Sequence, residues 1–78
     1  SGGGRVIVPQ TGVDVNKAPA EVLQTLPGIG PVLSQRLLAS RQREGPFHRP
    51  EDLLRVKGIG PVLLERLRPF IVLGRQLP

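Results

Sequence analysis

The stretch Leu23 to Leu37, LQTLPGIGPVLSQRL, returns thirty residues later as Leu53 to Leu67, LLRVKGIGPVLLERL, with nine positions identical. The shared part holds Gly-Ile-Gly-Pro followed by Val-Leu, at Gly28 to Leu33 and again at Gly58 to Leu63. A repeat of this kind marks a duplicated unit, and a unit this short cannot bury its own apolar face, so the two copies are expected to share one core. Each copy reads as a helix, a tight turn and a second helix.

In the first copy Asn16 and Pro19 are helix-opening signals, and Glu21 favours the positive end of the dipole. Val22, Leu23 and Leu26 make an apolar face that Gly28 interrupts. Pro31 suits the first turn of the next helix, where its missing N–H is no loss, and Leu33, Leu37 and Leu38 recur at helical spacing with Ser34 on a neighbouring row. Gly45-Pro46 ends that helix. Pro50, Glu51 and Asp52 open the third helix, with Leu53 and Val56 facing inward and Gly58 as the stop. Pro61 opens the fourth, which carries Leu63, Leu64 and Leu67 and extends towards Ile71. Leu64 replaces Ser34 of the first copy, which predicts a second hairpin that is spaced more loosely or shaped for the core. In the connector Arg41 to Arg49, Phe47 is expected to plug the seam between hairpins and His48 to face solvent.

The predicted fold is therefore all-α, a compact four-helix bundle with an extended N-terminal segment. Its expected parts are a leader over 1–12, a domain over 13–72 with hairpins at 16–43 and 50–68, and a tail over 73–78. Ser1 to Gly4 reads as flexible. Arg5 to Val13 is β-prone but broken by Pro9 and Gly12, which predicts extended coil, and too few residues follow Ile71 for another element.

At 78 residues the chain has room for one small domain. Without cysteine there is no disulfide framework, thiolate metal site or cysteine nucleophile, and His48 as the single histidine cannot build a zinc site, so no metal is expected. With no methionine, the chain is expected to be a processed product or an excised segment. A signal or anchor is then free to lie upstream, while no apolar run here approaches the ~20 residues that span a bilayer. Eleven basic residues, nine of them arginine, against six acidic ones give a formal charge of +5, the electrostatic footprint of a polyanion binder. Phe47 and Phe70 are the only aromatic residues, too few for a base-stacking platform, so readout should address backbone rather than bases.

A Gly-Ile-Gly turn has the chemistry for that. Its glycines permit dihedrals closed to side chains and close approach by another surface, while the isoleucine anchors the turn inward. Outward lie amide N–H groups at a helix N-terminus, where unsatisfied donors and a partial charge of roughly +0.5 favour phosphate. Two such sockets on one core, related by an approximate two-fold, can each grip one strand of a duplex across the minor groove, without sequence preference.

The pattern Leu23-x-x-Leu26-x-Gly28-Ile29-Gly30 with Ser34 and Leu37, repeated over Leu53 to Leu67, resembles the helix-hairpin-helix motif, and the pair resembles the tandem (double, SAM-like) helix-hairpin-helix domain. Asn16-Lys17-Ala18-Pro19-Ala20-Glu21, Leu26-Pro27-Gly28-Ile29-Gly30, Arg43-Glu44-Gly45-Pro46-Phe47, Glu51-Asp52-Leu53 and Val56-Lys57-Gly58-Ile59-Gly60 together resemble the ComEA-like family of bacterial competence DNA receptors, over about 13–71. The resemblance implies a non-catalytic domain for double-stranded DNA. It would be displayed on the outer face of the cytoplasmic membrane or in the periplasm by an upstream signal or anchor, and would hand DNA to an uptake channel and pilus machinery in natural transformation. No small-molecule substrate or organic cofactor is implied. By the family motif the phosphate-facing amides are those of Gly28, Gly30, Val32 and Leu33 and of Gly58, Gly60, Val62 and Leu63, with Ile29 and Ile59 in the same turns. Some members hold a monovalent cation on hairpin carbonyls, here those of Gln24, Leu26 and Ile29 or of Leu54, Val56 and Ile59.

One departure is that Pro31-Val32 and Pro61-Val62 stand where many such motifs have lysine or arginine, so the turn lacks a charged clamp and modest affinity is expected. Charge must come from Arg36, Lys57 and Arg66 beside the turns, with Arg41, Arg43, Arg49, Arg55 and Arg68 as outer candidates. Two other readings stand beside this one. One is a protein-interaction module of a membrane-associated assembly, to which the apolar proline-valine turns are suited. The other is an accessory DNA-binding domain of a repair enzyme, although neither Lys17 nor Lys57 sits in a defensible catalytic arrangement.

Overall fold

Proline at 31 and 61 fixes φ where each long helix begins, and glycine at 28 and 58 ends the element before it, so the duplicated sequence becomes a duplicated backbone. A computed structural model describes residues 11–74. Strand β1 (Val13–Asp14) is followed by helix α1 (Ala20–Leu23), helix α2 (Pro31–Glu44), a 3-10 helix over Pro50–Arg55, helix α3 (Pro61–Leu67), a 3-10 turn over Arg68–Phe70 and strand β2 (Ile71–Val72). The all-α expectation holds: the four helices are two hairpins closed on one core.

That core follows the repeat position by position. Leu23 and Leu53, Leu26 and Val56, Ile29 and Ile59, and Leu37 and Leu67 are buried pairwise. Ser34 and Leu64 are equally enclosed: the serine hydroxyl donates to the Pro31 carbonyl at 2.9 Å and accepts from Gln24 Nε2, whereas Leu64 joins the apolar core. Of the two expectations for Leu64, the core-directed one describes its position.

Contacts between the hairpins are reciprocal. A Cβ placed on Gly28 would lie 2.7 Å from Leu63 Cδ1, and one placed on Gly58 would lie 2.6 Å from Leu33 Cδ2. Each hairpin thus lays the leucine after its own turn on the first glycine of the other. Both glycines have positive φ, 76° and 101°, so a side chain there would be strained by the backbone and would have to displace a leucine methyl.

Phe47 is fully buried in the connector, as its plugging role requires. Arg55 lies over its ring at 4.3 Å and donates to Ser40 Oγ at 2.8 Å and to the Gly45 carbonyl, which ties the connector to α2.

Several local expectations are corrected. Asn16 does not cap α1, whose N-cap is Pro19 without a side-chain bond. It pairs instead with the backbone of Phe47, donating from Nδ2 at 2.9 Å and accepting from the Phe47 amide at 2.7 Å. The third helix is a 3-10 helix over the six residues Pro50–Arg55, closed by an extended Val56. Ile71 is not helical. Pro69 removes an N–H and directs the chain out of α3, and Ile71–Val72 runs parallel to Val13–Asp14, with Val13 opposite Ile71 and Asp14 opposite Val72. Val13, the last residue of the predicted coil, and Asp14 are therefore paired with Ile71–Val72 at the end of the predicted domain, where no further element is expected from the sequence. The Asp14 carboxylate clamps the pair by accepting from the Asn16 and Gly74 amides, and Arg41 Nη1 donates to the Val15 carbonyl at 3.0 Å. The readings of Ser1 to Gly4, of the first part of Arg5 to Val13 and of the end of the tail lie outside the described residues.

Two outcomes follow from this packing. Gly28→Ala should lose roughly 1–2 kcal/mol to the left-handed dihedral alone, and more from displacing Leu63, whereas Gly30→Ala, with extended φ and open space, should leave thermal melting unchanged. Asp52 accepts from the His48 and Arg49 amides, chiefly the former, and these bonds hold its carboxyl below the ordinary value. A lowered native value stabilises the fold fully above the unfolded value, near pH 4, and this contribution is lost as pH falls through the native one. Urea melts should show Asp52→Asn less stable than the parent at pH 7 and the difference shrinking at pH 2.

Candidate nucleic-acid interface

Each turn sorts its amides by a simple rule. The isoleucine amide turns inward: Ile29 donates to the Leu26 carbonyl at 3.1 Å and Ile59 to that of Val56 at 3.0 Å. The first intrahelical bonds then come from Ser34 to Gly30 and from Leu64 to Gly60, both at 2.9 Å. Between these fixed points the amides of Gly28, Gly30, Val32 and Leu33, and of Gly58, Gly60, Val62 and Leu63, have no acceptor among the described residues. Proline at 31 and 61 contributes no donor, so each turn has four N–H groups without an acceptor among the described residues.

The second glycine of each turn differs from the first. Gly30 has φ −102° and ψ −165°, and Gly60 has φ −106° and ψ −174°, extended values open to any residue. No atom lies within 4 Å of a Cβ built on either. The expectation that both glycines serve a barred dihedral is corrected: only Gly28 and Gly58 do, and Gly30 and Gly60 leave bare backbone facing open space.

Ile29 and Ile59 are also corrected as contact residues. Their side chains are buried and their amides are engaged, so they anchor the sockets without reaching outward. Leu33 and Leu63 divide their roles, with side chains in the clasp between hairpins and amides free. Sequence reading missed that crossing; its signal was a leucine at the same distance after each first glycine. Val32 and Val62 are 61% and 77% exposed, which places an apolar side chain beside the free amides on both turns.

Charge is arranged less symmetrically. Arg36 Nη1 donates to the Lys57 carbonyl at 2.9 Å, holding a guanidinium across the second turn beside the exposed Lys57. Arg66, its repeat mate, is exposed and has no partner among the described residues. Several outer candidates are occupied by the fold. Arg68 bonds Glu51 at 2.7 Å and Glu65 at 2.8 Å, which raises its own pKa and lowers that of Glu51; Arg55 holds the connector; Arg41 holds β1; and Arg49 faces Asp52 at 3.7 Å. Arg43 is exposed and without a partner among the described residues. His48 is exposed.

The carbonyls proposed for a monovalent cation are chemically suited to one. Those of Gln24 and Ile29, and of Leu54 and Ile59, accept no hydrogen bond among the described residues, and those of Leu26 and Val56 accept one each. No group of three or more His, Cys, Asp or Glu residues among the described residues is placed to hold a metal ion, and none of the described helices is long and apolar enough to cross a membrane.

Comparison with known proteins agrees with this geometry. The family model for the helix-hairpin-helix motif matches residues 8–72. ComE operon protein 1 of Bacillus subtilis (strain 168) is 36% identical over 59 residues, covering 76% of this chain and 29% of that protein. An uncharacterized protein of Haemophilus influenzae is 36% identical over 61 residues, covering 77% of this chain and 54% of that protein. Endonuclease/exonuclease/phosphatase family domain-containing protein 1 of Xenopus laevis is 35% identical over 63 residues, covering 81% of this chain and 11% of that protein. The chain thus corresponds to between about a tenth and just over half of these relatives. With the family model spanning both hairpins, the chain belongs to the helix-hairpin-helix family.

Proposed function

We propose that this domain binds double-stranded DNA without sequence preference, seating a phosphate of each strand on the free amides of one Gly-Ile-Gly turn across the minor groove. The observation that carries the reading is the set of eight outward amides, four on each of two equivalent turns, beside glycines whose outer face is empty. Amide donors favour an oxyanion and discriminate no base. The two valines beside them, Val32 and Val62, suit the sugar edges that flank a phosphate. Arg36, Lys57 and Arg66 supply long-range attraction.

The match to ComE operon protein 1 supports a receptor role in natural transformation. In that role the domain is non-catalytic and is held outside the cytoplasmic membrane by a segment upstream. It passes DNA to an uptake channel and its pilus machinery. A second reading, an accessory DNA-binding segment of a larger enzyme, is favoured by the similarity to endonuclease/exonuclease/phosphatase family domain-containing protein 1. Both use the same sockets, and they differ in what the domain is attached to.

Fluorescence anisotropy with labelled duplexes tests the socket mechanism. With three cations each neutralising a phosphate, log affinity should fall with log salt at a slope of about −3, equally for unrelated sequences. Gly30→Val combined with Gly60→Val should weaken binding by about tenfold or more at each socket, with melting unchanged, because each lost charge-assisted contact is worth roughly 1.5–3 kcal/mol. Absence of binding at low salt, or full affinity in the double variant, would refute the mechanism.

A further inference from the structure

The repeat provides an internal comparison, since Leu23 to Leu37 around the first turn correspond position by position to Leu53 to Leu67 around the second. Next to the second turn lies a groove of about 280 Å³ between α2 and the 3-10 helix, lined by Arg36, Ser40, Arg43, Glu44, Arg55 and Lys57. Four cations there meet one carboxylate. Glu44 and Arg55 face each other at 3.9 Å, and Arg55 is further engaged by Ser40 and Gly45. Arg36 is held at the turn end by its bond to the Lys57 carbonyl, which leaves its charge uncancelled. The side chains of Arg43 and Lys57 have neither hydrogen bond nor ion pair among the described residues. The groove therefore presents three uncompensated positive groups.

Beside the first turn the correspondence breaks off, because α3 ends at Leu67 whereas α2 continues to Glu44, and the sequence register differs as well. Thirty residues from Arg43 stands Leu73, from Ser40 stands Phe70, from Lys57 stands Pro27 and from Arg55 stands Thr25. Of the groove cations only Arg66, the counterpart of Arg36, is retained. The backbone sockets are duplicated, but the charged groove is not.

We propose that this groove is a third phosphate site, which takes a flanking phosphodiester of the strand seated on the second turn, so that the domain grips the two strands of a duplex unequally. The proposal rests on the DNA reading above. A strand carries a phosphate about every 3.4 Å of duplex axis, so one seated on the amides of Gly58, Gly60, Val62 and Leu63 continues past them. Along Arg36, Lys57 and Arg43 it meets positive charge; past the first turn Pro27 stands in place of Lys57, and α3 ends at Leu67, before any counterpart of Arg43.

The test compares the 78-residue parent with Arg43→Gln, which removes the groove cation that the hairpin mechanism does not use, and with Arg49→Gln, which removes a charge elsewhere, in anisotropy titrations between 50 and 200 mM salt. Both substituted side chains are exposed, and the bond from Arg36 to the Lys57 carbonyl is retained. The groove variant should show a salt slope shallower by about 1, for the one lost phosphate contact, while Arg49→Gln keeps the parental slope. If the parent binds with a steep slope and the groove variant merely tracks Arg49→Gln, the groove proposal falls and the hairpin reading stands. If the parent fails to bind duplex at 50 mM salt, both fall. In chemical-shift titrations duplex should move the Arg43 and Lys57 amides together with those of the second turn. Saturation of the groove by inorganic phosphate, with duplex leaving it unmoved, assigns it to a small free anion and overturns the proposal.

Discussion

The packing of Leu33 on Gly58 and of Leu63 on Gly28 sets everything else in place. Because each hairpin supplies both the leucine and the glycine, the contact is self-complementary and imposes an approximate two-fold on the pair. The leucines start the long helices and the glycines end the short ones, so the same contact brings both turns side by side. The amides left over on each turn then point away from the core. A side chain larger than hydrogen at either glycine would be strained by the positive φ and would displace the leucine methyl that rests there.

Much of this is legible in sequence because duplication writes the core twice. Nine identities at an offset of thirty identify the turns, and the buried leucines and isoleucines fall on helical spacing in both copies. What escapes is long-range or depends on competition. Periodicity shows that Leu33 is apolar but not that its partner is a glycine of the other hairpin. Asn16 has the residue type of a helix cap, yet a better-placed backbone pair at Phe47 takes it. Ile71 continues a helical spacing, but Pro69 intervenes and Val13 offers a strand partner. At the site, the four outward amides of each turn follow from the family motif. The different roles of the first and second glycines emerge only from their dihedrals and surroundings.

The distribution of positive charge explains why composition alone overstates the interface. Arg68, Arg55, Arg41 and Arg49 are engaged by carboxylates, carbonyls and an aromatic ring, and they act as struts of a small domain with little core. The cations left beside the turns are few and mostly on one side. The two copies thus keep the same turn backbone and differ in the side chains around it.

The parallel pairing of Val13–Asp14 with Ile71–Val72 has a mechanical consequence. Polypeptide enters the first strand at one end of the ribbon and leaves the second at the other. Tension transmitted along the chain therefore slides the strands past each other and loads their bonds together, instead of unzipping them one at a time. The fastening at the base of the domain is thus oriented to resist a steady pull, whatever lies on either side of it.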